Sequence, residues 1–186
     1  MSPYSAPNQI INILLSKLPD GLLINLGAGR TSNNTASKRV IGVDLEIPQS
    51  YISNYVLGDA TRLPFRDEIF DGCLLKDIIE HVLDPVKAMR ELRRISKQGA
   101  TAILITPRAI PRAVWADPTH IRGFTLNSLY ILMKHSGWTI ISKPTRYGGF
   151  PGASRFNFER HLELIMRIPI LGHYFGTNWI CEIQKI

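Results

Sequence analysis

Cysteine is scarce in this chain. Only Cys73 and Cys181 occur among its 186 residues, each inside an apolar run (Gly72-Cys73-Leu74-Leu75 and Trp179-Ile180-Cys181-Glu182-Ile183), so a disulfide framework or a cysteine-based zinc site is excluded and each thiol reads as a small buried hydrophobe. Long apolar runs are missing too. The stretch Ile10–Leu15 is interrupted by Asn12 and closed by Lys17, Pro19 and Asp20, and no basic region precedes it, so the sequence predicts neither a membrane span nor a secretory signal and a cytoplasmic location is expected. Acidic residues are in deficit, 15 against 22 Lys and Arg, for a net charge of +7. An excess of that size hints at an anionic partner. The basic residues are nevertheless spread from Lys17 to Lys185, and the densest group, Arg90, Arg93, Arg94 and Lys97, has the spacing of a solvated helix face, which leaves nucleic acid weakly motivated as a partner.

No repeat, low-complexity tract or change of composition divides the chain, and its hydrophobic fraction of 45% is that of an ordinary folded protein. The expectation is one domain over 1–186, with an N-terminal helical segment (1–21), a cofactor-binding half (22–106) and a substrate-side half (107–186). Short apolar runs bounded by Gly, Asp or Pro predict buried parallel strands at Leu22–Leu26, Val40–Val43, Tyr55–Leu57, Gly72–Leu75 and Ala100–Thr106. Trp138–Ile141 and Trp179–Ile186 follow as strands six and seven. Asp84-Pro85 starts a helix carrying Val86, Met89, Leu92 and Ile95, with Lys97-Gln98-Gly99 as its basic end and stop. Thr125 caps a second helix, which ends at Ser136-Gly137. Alternating strands and helices predict an α/β fold, a mostly parallel seven-stranded sheet flanked by helices. About a dozen residues separate the first two strands, the lower limit for a parallel crossover, so a loop or single turn is expected there.

The chemistry-bearing signals sit at strand ends. The first strand runs into Gly27-Ala28-Gly29, where glycine permits positive φ and removes side chains that would hold a ligand off the backbone. Asp44 ends the second strand, where nucleotide folds place a carboxylate for ribose hydroxyls, and Asp59 follows the third, beside Ala60, where an adenine can be read. Each alone would be an ordinary turn residue. Three such features at the carboxyl ends of successive parallel strands describe an adenosine pocket, because that rim is where open α/β sheets bind ligands. A nicotinamide cofactor would want a third glycine where Ser32 stands and a full helix after it, so it ranks lower.

From about Leu22 to Gly137 the sequence resembles the class I S-adenosylmethionine-dependent methyltransferases, in particular the small methyltransferase domain 11 type. The resemblance is most specific in Gly58-Asp59-Ala60-Thr61-Arg62-Leu63-Pro64-Phe65-Arg66-Asp67 through Phe70-Asp71, and continues in Ile79-Glu80-His81-Val82 and in Arg90-Glu91-Leu92-Arg93-Arg94-Ile95. It implies the Rossmann-like methyltransferase fold, with a shortened first crossover here, and S-adenosylmethionine as cofactor. It also implies site roles: Asn25, Gly27, Ala28 and Gly29 at the methionine end, Asp44 with Leu45 at the ribose, Asp59 with Ala60 at the adenine, and Lys76 with Asp77 closing the wall. Two departures stand out. Asn25 replaces the usual acid before the first glycine, and Thr31 replaces a third glycine.

Methyl transfer needs alignment and exclusion of water more than a nucleophile, and a base only if the acceptor must lose a proton. His120, in Asp117-Pro118-Thr119-His120-Ile121-Arg122, is the candidate catalytic residue, its role divided between a base and a loop-organising hydrogen bond. His81 reads as structural. A metal held by Asp77, Glu80 and His81 is conceivable on spacing, and none is assigned. The acceptor is expected to be chosen after Arg108, where Tyr147–Gly152 is turn-rich and residues 156–167 interleave apolar and basic side chains, as in a lid, a membrane-surface helix, a dimer face or simply a packed helix. The reading is a methyltransferase acting on a small-molecule or lipid-like acceptor, with homo-oligomerisation possible. A non-catalytic cofactor-binding partner subunit and an RNA-modifying enzyme stand as alternatives.

Overall fold

A computed structural model describes residues 14–29, 39–46, 54–147 and 176–186. The elements, in order, are β1 (Leu23–Leu26), β2 (Val40–Asp44), β3 (Tyr55–Leu57), β4 (Phe70–Lys76), α1 (Pro85–Ile95), β5 (Ser96–Pro107), α2 (Pro111–Val114), α3 (Leu126–Ser136), β6 (Thr139–Ile140), β7 (Thr145–Tyr147) and β8 (Asn178–Gln184). Strand order across the sheet is β3-β2-β1-β4-β5-β8-β6, with β7 also paired to β8. β1 to β5 are mutually parallel, and β8 runs antiparallel to its neighbours. This is the Rossmann-like methyltransferase arrangement expected from the sequence. The shortened first crossover falls largely on residues 30–38, outside the described residues, as does most of the expected N-terminal helical segment.

Alternation along the strands builds two cores. Ile24, Leu26, Cys73, Leu75, Ala102 and Leu104 join Met89, Leu92 and Ile95 of α1 and Leu129, Leu132 and Met133 of α3 on one face. Leu23, Leu74, Ile103 and Ile105, one residue out of phase, pack with Leu14 and Leu18 on the other. Both cysteines are buried and free, as expected, and burial pushes each thiol up to about 12. α1 starts as the sequence predicts: Asp84 accepts from the Lys87 N–H at 2.9 Å, with Pro85 following. Thr125 and Ser128 exchange hydrogen bonds at the start of α3, and Gly137 ends it with φ of 79°.

Three expectations need correction. The first helix stops at Ile95, not at Lys97–Gly99, because Ser96 turns extended while its Oγ donates to the Leu92 carbonyl at 2.6 Å, and β5 begins there at once. The sixth strand, expected over Trp138–Ile141, is formed by Thr139–Ile140 alone, and a further strand that the sequence did not predict, β7, follows it. β6 and β7 lie on the same side of β8 with the register shifted between Ile140↔Ile183 and Thr145↔Ile180, so the sheet has eight strand segments in seven positions. Pro144, lacking an N–H, stands in that break. Finally, the basic face of α1 is not merely solvated. Arg90 donates to the His135 carbonyl and Arg93 to those of Gly137 and Ile186, at 2.9–3.1 Å, so the cations clasp the carbonyl end of α3. They line a solvent-open groove between α1 and α3, away from the sheet's carboxyl rim.

Candidate cofactor and acceptor site

The rim begins where β1 stops. Asn25 is buried inside the strand, and Gly27 and Gly29 follow with φ of 79° and 73°. The Gly27 and Ala28 N–H groups both donate to the Val43 carbonyl, at 2.9 and 3.0 Å, folding the turn against the end of β2. A Cβ on Gly27 would stand 2.9 Å from Cβ of Ile78, so the close approach as well as the φ requires glycine. Among the described residues, a Cβ on Gly29 would meet nothing within 4 Å.

Asp44 closes this turn. Its Oδ2 accepts from the Gly29 N–H at 2.8 Å and its Oδ1 from the Glu46 N–H at 3.2 Å. Each carboxylate oxygen keeps a further lone pair, so the group can serve the turn and still accept from a diol. Leu45 beside it is 70% exposed, an apolar side chain bare on the same rim. Asp59, two residues past β3, is exposed, and its Oδ1 accepts from the Thr61 N–H at 2.7 Å, while Ala60 is buried. Asp77 follows β4 with φ of 53°, its N–H donating to the Ile105 carbonyl at 3.0 Å and its carboxylate paired with the Lys76 ammonium. All these residues lie at or just past the carboxyl ends of β1 to β4.

Sequence reasoning missed Tyr55. Its hydroxyl donates to the Glu46 carbonyl at 2.6 Å and lies 3.3 Å from that of Gly29, so one side chain spans the glycine turn and the segment after β2. Burial, with the charges of Asp44 and Glu46 nearby, pushes the phenol up to about 12. The signal was present only as an aromatic opening β3, and nothing local says which way it faces.

Past Asp77 a second group assembles. Glu80 is fully buried, its Oε2 accepting from Thr106 Oγ1 at 3.0 Å, and burial pushes its carboxyl up to about 8. Nε2 of His120 lies 3.9 Å from Glu80 Oε1, and Nδ1 of His120 is 2.7 Å from the Val114 carbonyl. Of the two roles the sequence left open for His120, the loop-organising hydrogen bond is formed. His81, read as structural, stacks edge-on against His120 with ring centroids 4.7 Å apart. The Ile121 N–H donates to the Glu80 carbonyl, and Arg122 donates to that of Leu83, so the connection before α3 is sewn to the one after β4. Leu83, Trp115 and Ile121, all exposed, surround this seam. The acceptor-side segment expected at 148–167 lies outside the described residues.

Residues 22–104 match the methyltransferase-domain family profile. Over that stretch the chain is similar to methyltransferase domains. A demethylmenaquinone methyltransferase of Mycobacterium sp. (strain KMS) is 29% identical over 94 residues, covering 50% of this chain and 37% of that protein. Across the first such relatives the matched stretch is 20–37% of their own length, so the chain spans well under half of each. A SAM-dependent methyltransferase of Archaeoglobus fulgidus superposes with a TM-score of 0.71 at 18% identity, over 99% of this chain and 95% of that one. The [4+2]-cyclase SpnF superposes with a TM-score of 0.67 at 17% identity, over 97% of this chain and 81% of that one. The last of these shows why the fold alone does not fix the reaction.

Proposed function

We propose that this methyltransferase domain binds S-adenosylmethionine along the rim of β1 to β4 and transfers its methyl group to an apolar, quinone-like or lipid-like small molecule. The observation that carries the reading is the Asp44 carboxylate fastened to the Gly29 N–H. That contact fixes an acceptor of diol hydrogen bonds beside a glycine whose Cβ direction is clear of the described residues. The residues fit the cofactor: Gly27, Ala28 and Gly29 would receive its methionine end, Asp44 with Leu45 the ribose, and Asp59 with Ala60 the adenine. Asn25 brings no charge for the ammonium group. Asp77, held at positive φ at the end of β4, is the carboxylate we assign to that task, with Lys76 as its partner when the site is free.

S-adenosylmethionine supplies an electrophilic methyl group, so the protein need provide no nucleophile. What it supplies is alignment and a dry surface. The acceptor is inferred to be apolar because Leu83, Trp115 and Ile121 lie bare around the Glu80–His120 seam, and because the matched relatives are named for demethylmenaquinone. His120 is assigned a positioning role, holding the connection before α3 through its bond to Val114. The Arg90 and Arg93 contacts occupy the densest basic group within the protein, which weakens the case for RNA. Calorimetry with S-adenosylmethionine and with its demethylated product tests the cofactor assignment, and a chain that binds neither ends it. Transfer of labelled methyl to a demethylated quinone, compared with transfer to a water-soluble phenol, tests the acceptor class. Equal labelling of the two would remove the apolar preference.

A further inference from the structure

Three side chains from two separate connections meet near the acceptor seam, and each has one polar atom secured and another to spare. Glu80 Oε2 is held by Thr106 Oγ1, while Glu80 Oε1, on a side chain with no exposed surface, has no hydrogen-bond partner among the described residues. His120 has Nδ1 bound to the Val114 carbonyl and Nε2 turned toward that bare oxygen at 3.9 Å, too far for a hydrogen bond. His81 has Nδ1 3.2 Å from both the carbonyl and the hydroxyl of Thr119. One ligand atom from each of the three lies within 4.8 Å of the others.

We propose that Glu80, His81 and His120 bind a single divalent transition-metal ion, for which zinc is the best match. Two imidazoles and one carboxylate, with a fourth position left open, form a zinc donor set, whereas calcium and magnesium prefer oxygen ligands throughout. Ligands in built metal sites have their other polar atom anchored, a histidine by a carbonyl and a carboxylate by a hydroxyl, and all three side chains here are anchored in that way. The 3.9 Å between Glu80 Oε1 and His120 Nε2, and separations within 4.8 Å across the trio, exceed the roughly 3.4 Å between neighbouring ligands about tetrahedral zinc, so the side chains must draw together as the ion binds. The ion satisfies the buried oxygen that has no hydrogen-bond partner among the described residues. It also ties the connection after β4 to the one before α3, across a separation that hides the trio from sequence reading. The spacing-based set of Asp77, Glu80 and His81 shares two of its members, but Asp77 pairs with Lys76 instead.

The test uses the full chain, stripped with a chelator and titrated with Co2+ and then Zn2+, with no S-adenosylmethionine present, so that its outcome is independent of the cofactor assignment. One equivalent of Co2+ giving visible bands of a tetrahedral site, displaced by Zn2+, with a raised melting temperature, is the expected result. His81→Ala and Glu80→Gln should abolish those bands. Thr106→Val, which keeps the shape and removes only the anchor of the carboxylate, should weaken Co2+ binding by about 10- to 100-fold. Because His81 is only partly buried, His81→Ala is the variant expected to fold normally, and its circular dichroism spectrum checks that. Absence of stoichiometric binding by the unmodified chain, or full retention of the bands by folded His81→Ala, overturns the site.

Discussion

At the scale of single residues, the rim works through carboxylates that serve the protein before they serve a ligand. Asp44 holds the Gly29 N–H, and Asp59 caps its own turn at Thr61. Asp44→Ala therefore loses the ligand's hydrogen bonds and loosens the glycine turn as well. Titration calorimetry should show S-adenosylmethionine affinity falling by about 1–3 kcal/mol in Asp44→Ala and in Asp59→Ala. Tyr55→Phe removes only the hydroxyl that bridges Gly29 and Glu46, and should weaken the same affinity by about 1 kcal/mol with little change in fold. Affinity unchanged in all three would place the cofactor elsewhere. The two aspartates were legible in the sequence because their position, just past an apolar run, is itself the signal. Tyr55 was not, since its partners are carbonyls at Gly29 and Glu46, and backbone carbonyls leave no mark in a sequence.

At the scale of elements, the segment after β3 is pinned by α1. Arg94 donates to the Leu63 and Phe65 carbonyls and to the Glu91 and Asp67 carboxylates, while Glu91 accepts from the Leu63 N–H at 3.0 Å. Arg94, followed by the Leu63 N–H, holds the Glu91 carboxyl below its ordinary value of 4.5, against the opposing effects of burial and Asp67. A lowered folded-state pKa means that the unfolded chain takes up the proton first. Glu91 therefore contributes stability that is present above its ordinary value and is lost as pH falls through the lowered one. Glu91→Gln should flatten the acid limb of a melting-temperature profile below about pH 4.5 and leave the neutral-pH slope unaltered. An unchanged acid limb would show that the pair is too well screened to matter. The sequence suggested solvent for these arginines because their spacing on α1 is that of an outward face. Long side chains lie along such a face and reach past it, and their acceptors at Leu63, His135 and Gly137 are distant in the chain.

At the scale of the whole molecule, β8 is the strand on which the second half depends. It pairs with β5 over seven residues, Thr101↔Gln184 to Pro107↔Asn178, and it is the partner of both β6 and β7. Its Trp179 donates to the Phe124 carbonyl at 2.8 Å and takes the Arg108 guanidinium over its ring. Removing residues 178–186 should leave β1 to β5 able to pair while α3, β6 and β7 lose their anchor. The expected outcome is loss of a single cooperative thermal transition, read by near-ultraviolet circular dichroism. A sharp transition surviving in the truncated chain would show that β8 is dispensable. The places of the parallel strands along the chain were readable from their apolar runs, but the bend that divides β6 from β7 was not, because Lys143-Pro144 reads equally well as the end of a strand.

That bend has a consequence for crowded solutions. An outer strand with a continuous row of free amides is a template on which a neighbouring molecule can add its own strand. Here one margin of the sheet is β3, three residues long, and the other is split into β6 and β7, of two and three residues, with a proline between them. Among the described residues neither margin offers a run long enough to seed strand addition. Copies of this domain that self-associate should do so through side-chain faces, and the sheet itself should resist growing into fibrils.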